Sequence, residues 1–342
     1  MTGPLVTGPV VTGLLRSPGR RSAGWTVPIG MGLLGVATVA SMAIGVSDLD
    51  VVGVVRADPD ALRLLLVSRL PRAVAILLAG AGAGVAGMIM QHLARNRFVA
   101  PSTAGTIESA GLGIVVATLA FTGASLMVKM VVAVAFAMAG TAILLALLRR
   151  LELRDTLMIP LVGLLFGGVV RSVATFLAYR LDLLQSLGAW TNGDFSGVLR
   201  GRYELLWLVA GAVLLAYLWA DRFTVAGMGE EMATNLGLSH RRVVATGLFV
   251  VAAVTGIVVV VVGAIPFLGL VVPNVVSLWR GDNLRSSLPL VALCGAGFVL
   301  VCDVIGRVVR YPYEVPVGTV VGVVGSVVFL ALVLRRPVRV GG

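Results

Sequence analysis

Charge is scarce in this chain. Asp, Glu, Lys and Arg make up 13% of its 342 residues, where a soluble domain carries about 25%. Lysine is scarcer still: Lys129 is the only one, and no glycine-rich loop stands before it. A phosphate-binding loop needs a lysine behind a glycine turn, so this chain cannot build one, and any ATP that drives it is hydrolysed by another chain. Histidine occurs twice, as His92 and His240, and neither has a partner at metal-ligand or triad spacing. Cys294 and Cys302 fall within one apolar run and read as small core residues, without a disulfide framework or a metal motif. There is no Gly-x-Ser-x-Gly elbow and no paired-aspartate motif, which leaves an intramembrane enzyme with little chemistry to use. The net charge of +11 does not mark nucleic-acid binding either. Its arginines sit in short clusters between apolar runs, where they orient the chain in a membrane, and no aromatic-interleaved basic patch is present.

What fills the chain instead is hydrocarbon. Apolar residues make up 58% and mean hydropathy is +1.02, which identifies an all-α polytopic membrane protein. Residues 1–24, rich in Gly, Pro and Thr, read as a disordered cytoplasmic tail, and residues 25–342 as a single transmembrane domain. Stretches long enough for a roughly 30 Å hydrocarbon core recur near 25–46, 70–93, 105–122, 125–148, 157–179, 204–220, 243–262, 265–280, 288–306 and 316–334. That is about ten spans, so both termini lie on one side, and the positive-inside rule makes that side the cytoplasm. Two proline-bearing segments, 98–101 and 265–273, each follow the first span of a four-span block. The blocks start from opposite sides of the membrane, as an inverted repeat would. The 43 glycines include the run Gly80 to Gly87, which lets helix backbones approach closely.

Between the sixth and seventh spans lies one polar island, Gly227 to Arg242. Its glycines break a short helix out of the neighbouring spans, with Glu230, Glu231 and Asn235 on a polar side and Met232 and Leu236 on another. The topology puts this island, about 221–242, in the cytoplasm with the shape of a docking element. Four charges fall within spans, where each is costly. Asp303 and Arg307 are four apart on one helical face and read as an ion pair. Glu108 and Arg171 either pair across spans or face a water-filled path.

Several segments, in order, resemble the permease family that imports iron-siderophores, haem and cobalamin, the type II ABC importers with ten spans and an inverted repeat. They are Arg69-Leu70-Pro71-Arg72 leading into Gly80-Ala81-Gly82 and Gly87-Met88-Ile89-Met90-Gln91; Arg95 to Gly105; Gly227-Met228-Gly229-Glu230-Glu231 with Leu236-Gly237; Gly263 to Pro273; Leu288-Pro289-Leu290; and Asp303 to Arg307 running into Glu314-Val315-Pro316-Val317-Gly318. Order and spacing agree over about residues 60 to 335.

The resemblance implies a transport subunit that does no chemistry itself and holds no cofactor, in the cytoplasmic membrane of a prokaryote. Its partners would be an ATP-binding-cassette ATPase, an extracytoplasmic substrate-binding protein, a second permease chain and the surrounding lipid. It implies that Arg69 and Arg307 meet acidic residues of the binding protein. It assigns Met228, Glu230, Glu231, Met232, Asn235 and Leu236 to contact with the ATPase. It also assigns Asn96, Phe98 and Thr156 to a cytoplasmic gate, although Arg97-Phe98 stands where the family usually has Pro-Leu. The cargo would be a ferric siderophore, the loop around Asn96 resembling a branch that often takes the catecholate type. The alternatives are an ion-coupled secondary transporter of a small solute, for which the residues offer one buried acid rather than a relay, and an intramembrane enzyme.

Overall fold

Small residues set how closely these helices approach. In the computed structural model, which describes residues 26–44, 56, 58–121, 123, 125–150 and 158–335, a Cβ built on Gly80 would stand 2.6 Å from the Gly295 carbonyl oxygen. One built on Gly87 would stand 2.0 Å from that of Gly269. The glycine run at 80–87 is therefore the seam along which its helix meets two others. The tail at 1–24 and the gate candidate Thr156 lie outside the described residues.

All regular structure among the described residues is helical. In chain order the elements are α1 (Thr26–Ala43), α2 (Pro59–Leu93), α3 (Thr106–Ala120), α4 (Leu126–Arg150), α5 (Met158–Arg180), α6 (Leu184–Thr191) and α7 (Trp207–Leu218). They continue with α8 (Ala220–Gly227), α9 (Glu230–Asn235), α10 (His240–Val262), α11 (Leu268–Arg280), α12 (Leu284–Val308) and α13 (Val317–Arg335). Seven are long and apolar enough to cross a membrane, α7 with α8 makes an eighth bent by 62°, and α3 and α11 are shorter apolar helices. These are the ten places the hydropathy marks.

The centre of the bundle is α2 and α10, whose apolar windows are 72% and 78% buried, against 11% for α1 and 22% for α5. In α10 the run Val258 to Val262 is buried all round, as a helix apolar on every face must be. A correspondence between the two four-helix blocks is visible in the packing. Helix α2 lies along α12, and α10 lies along α4, so exchanging α2 with α10 and α4 with α12 reproduces the arrangement. The two short helices correspond as well. Each follows a proline-bearing non-helical segment that ends on a left-handed residue, Gly105 (φ 68°) before α3 and Phe267 (φ 59°) before α11.

Candidate functional site

The two ends of the bundle carry different chemistry. At one end, α2 contains a π-helical turn, Leu65–Arg69, which leads Arg69 and Arg72 onto the same side of the helix as α12. Arg72 binds two carboxylates at once: Asp303 Oδ1 from Nη2 at 2.8 Å and from Nε at 3.2 Å, and Glu314 from Nη1 at 2.8 and 3.0 Å. Asp303 is fully buried and also pairs with Arg307 at 2.5 Å, so the i,i+4 ion pair expected from the sequence is present. Arg307 donates to the carbonyls of Ser41 (2.7 Å) and Ile44 (2.5 Å), and Arg69 donates to Ile44 (2.9 Å). These carbonyls close α1, whose terminal C=O groups have no partner within the helix. Two arginines thus cap one helix while the carboxylates balance them. Arg69 and Arg307 are only 7% and 5% exposed, so neither guanidinium stands open on this end of the bundle.

The opposite end is organised around the segment after α2. Asn96, buried at 3%, accepts the Phe98 N–H on its side-chain oxygen at 2.8 Å, the geometry of an Asx turn. Asn274 of α11 donates to the Arg97 carbonyl at 2.8 Å. Arg97 pairs with Asp282, and His92 Nε2 lies 2.9 Å from the Asp282 carbonyl oxygen. The Phe98 ring meets Phe329 of α13 edge-on, centroids 6.1 Å apart. Two of the three gate candidates thus sit in a segment tied to α11, to the α11–α12 turn and to α13.

Next to that segment is the polar island, folded as α8 and α9 around Gly229, whose φ of 123° excludes a side chain without strain. Phe223, Ala226 and Ala233 anchor it, buried. Met228, Met232 and Leu236 are 57%, 49% and 59% exposed, and Glu230, Glu231 and Asn235 are exposed beside them. The structure therefore gathers all six ATPase-contact candidates on one open surface. It packs on the α2 segment: a Cβ on Gly227 would lie 3.4 Å from His92, and one on Gly229 would lie 3.5 Å from the Arg95 guanidinium.

Between the two ends lies a cavity of about 560 Å³ walled by α3, α5, α6 and the turn before α11, with Glu108 and Arg171 facing it. At one end of α4, Lys129 sits 6.0 Å over the Trp190 ring, on the α6 side of that cavity.

Comparison with known proteins assigns the family. The model of the FecCD transport family matches residues 33–335. The chain belongs to this family. It is 49% identical over 304 residues to the petrobactin import system permease protein YclN of Bacillus subtilis, covering 89% of this chain and 96% of that one. It is 45% identical over 271 residues to the ferric-anguibactin transport system permease protein FatD of Vibrio anguillarum, covering 79% and 86%. A solved metal-chelate type ABC transporter in an inward-facing conformation has the same fold, with a TM-score of 0.78 and 23% identity over 91% of this chain and 99% of that one. A FecCD-family chain is a multi-pass transport subunit and not an enzyme.

Sequence reasoning missed several residues that organise both ends. Arg72, not Arg69, is the hub of the charged network, and Glu314 is its second acid. The signal was there, since Arg72 follows Arg69 by three positions and shares its helix face. Asn274 and Asp282, which hold the segment after α2, carried a weaker one: a lone amide in an apolar helix and a lone acid in a turn. Nothing in the sequence marked Phe329 as the partner of Phe98.

Proposed function

We propose that this chain is the membrane-spanning permease of an ATP-driven importer that carries a ferric siderophore of the catecholate type inward across the cytoplasmic membrane, with both termini in the cytoplasm. The observation that carries the reading is its 49% identity, along nearly the whole length of both chains, to an import-system permease. A second permease chain lines the path with it, a substrate-binding protein loads it from outside, and a separate ATPase powers it. No residue here makes or breaks a covalent bond; alternating access moves the cargo.

In this reading the exposed side chains of α8 and α9 are the ATPase contact. Because that element packs on His92 and Arg95, closure of the ATPase pulls on the segment carrying Asn96 and Phe98, which is the cytoplasmic gate, with Thr156 as a further gate residue. The charged end receives the binding protein. Arg69 and Arg307, buried there, act by fixing the shape of the docking face through α1.

The test is uptake of radiolabelled ferric chelate into vesicles holding the permease, with ATPase and binding protein supplied or withheld. Uptake is expected only with both and with ATP. Uptake that persists without the ATPase would overturn the reading in favour of an ion-coupled carrier.

A further inference from the structure

The cavity between α3, α5 and α6 holds chemistry that neither end uses. Glu108 stands in the first turn of α3, and its Oε2 is buried without a hydrogen-bond partner. Arg171 is exposed on α5. It follows Gly167, whose Cβ position is 3.4 Å from the Glu108 carboxyl, and the two straddle the middle of the 23-residue α5. The acid and the base therefore face one space at mid-depth, yet among the described residues no ion pair joins them. Charged side chains within a span face the bundle interior or a water-filled cavity, and they mark the paths that substrates or ions take. Ser102, Thr175, Thr191 and Asn192 add hydroxyls and an amide to the wall, and Trp190 adds an indole. A second recess, formed by Arg171, Ser172, Thr175, Phe176 and Tyr179, continues the cavity along α5.

A ligand that satisfies both charges carries complementary groups of its own. The anionic oxygens around a ferric centre match Arg171 and the hydroxyls, and Phe176 and Tyr179 offer faces for flat aromatic chelating groups. A carboxylate beside them would repel a purely anionic complex, so Glu108 requires a donor on the ligand. We propose that this cavity holds the cargo at mid-depth and selects a ferric chelate bearing both anionic oxygens, facing Arg171, and a protonated amine, facing Glu108. This rests on the importer reading above. The volume is within the usual range of about 300 to 1,000 Å³ for small-molecule sites.

The experiment uses the complete importer in vesicles and two iron-55 chelates, a tris-catecholate ligand with a free backbone amine and the same ligand with that amine acetylated. Glu108→Gln is expected to lower the rate ratio of amine to acetylated chelate at least about tenfold, the effect of losing one charge-assisted hydrogen bond. Arg171→Gln should leave that ratio unchanged and slow both chelates, and Arg171→Lys should recover much of the loss. A ratio unaltered in Glu108→Gln overturns the proposal, as does Arg171→Lys behaving like Arg171→Gln. A general structural defect slows both chelates alike and leaves the Glu108 ratio where it was, so it counts against the proposal too. Independently of those variants, Thr175→Cys on the cavity wall should be shielded from a thiol reagent by ferric chelate during turnover; labelling unaffected by chelate overturns it. If the unsubstituted complex takes up no ferric chelate, the importer reading itself fails, a result separate from these.

Discussion

Arg72 and Asp303 stand 231 positions apart in the chain and meet through two nitrogen–oxygen contacts, of 2.8 and 3.2 Å. Asp303 is fully buried, and its other oxygen faces Arg307 at 2.5 Å. One carboxylate therefore bridges two guanidiniums from two helices, α2 and α12, and through Arg307 it is linked to the end of α1.

Removing that carboxylate leaves two cations buried with too little negative charge. Asp303→Ala should destabilise the protein by about 3–5 kcal/mol, the usual consequence of breaking a buried pair from one side. Glu314→Ala should cost clearly less, because that side chain is 23% exposed and water can replace it. Thermal unfolding of the purified variants in detergent checks the order, and a larger loss for Glu314→Ala would show that the hub is misplaced.

Close backbone approach makes a second prediction. A methyl group at Gly87 has no room against the Gly269 carbonyl, so Gly87→Ala should lower stability by about 1–3 kcal/mol through forced separation of α2 and α11. Gly211 in α7 has nothing near its Cβ position, and Gly211→Ala should be neutral or stabilising by up to about 1 kcal/mol. Equal effects of the two in the same melting assay would refute the seam.

Charge reversal on the exposed α9 separates docking from coupling. Glu230→Arg with Glu231→Arg should cut ATP-dependent uptake at least about tenfold, since like or mismatched charges across an interface cost several kcal/mol. Binding-protein association, measured by co-purification, should be intact. If transport and ATPase stimulation both survive the reversal, α9 is an ordinary solvated helix.

The Phe98–Phe329 contact is open to a double-mutant cycle. Each alanine substitution alone removes area, while the coupling term isolates the edge-on pair and should be about 0.5–1.5 kcal/mol. A coupling near zero would mean that α13 does not hold the segment carrying Asn96. Uptake by the Phe98→Ala variant should also become leaky to counterflow of free chelate.

The sequence by itself determined the class, the ten apolar segments, the need for a separate ATPase and the order of family motifs. Those properties live in local composition: a run of about 20 apolar residues has one inexpensive environment, and a chain with one lysine and no glycine loop cannot bind nucleotide phosphates by that route. The i,i+4 pair of Asp303 with Arg307 was legible for the same reason, because helix periodicity fixes it. Partnerships across helices were not. That Arg72 rather than Arg69 is the hub, that Arg69 and Arg307 spend their charge on the carbonyls of α1, and that Phe98 rests on Phe329 depend on which faces of distant helices meet. Helix rotation and crossing are set by the summed packing of small residues such as Gly80, Gly87, Gly269 and Gly295, which no single segment encodes. Tertiary structure likewise decided that Glu108 and Arg171 share a cavity and leave each other unpaired.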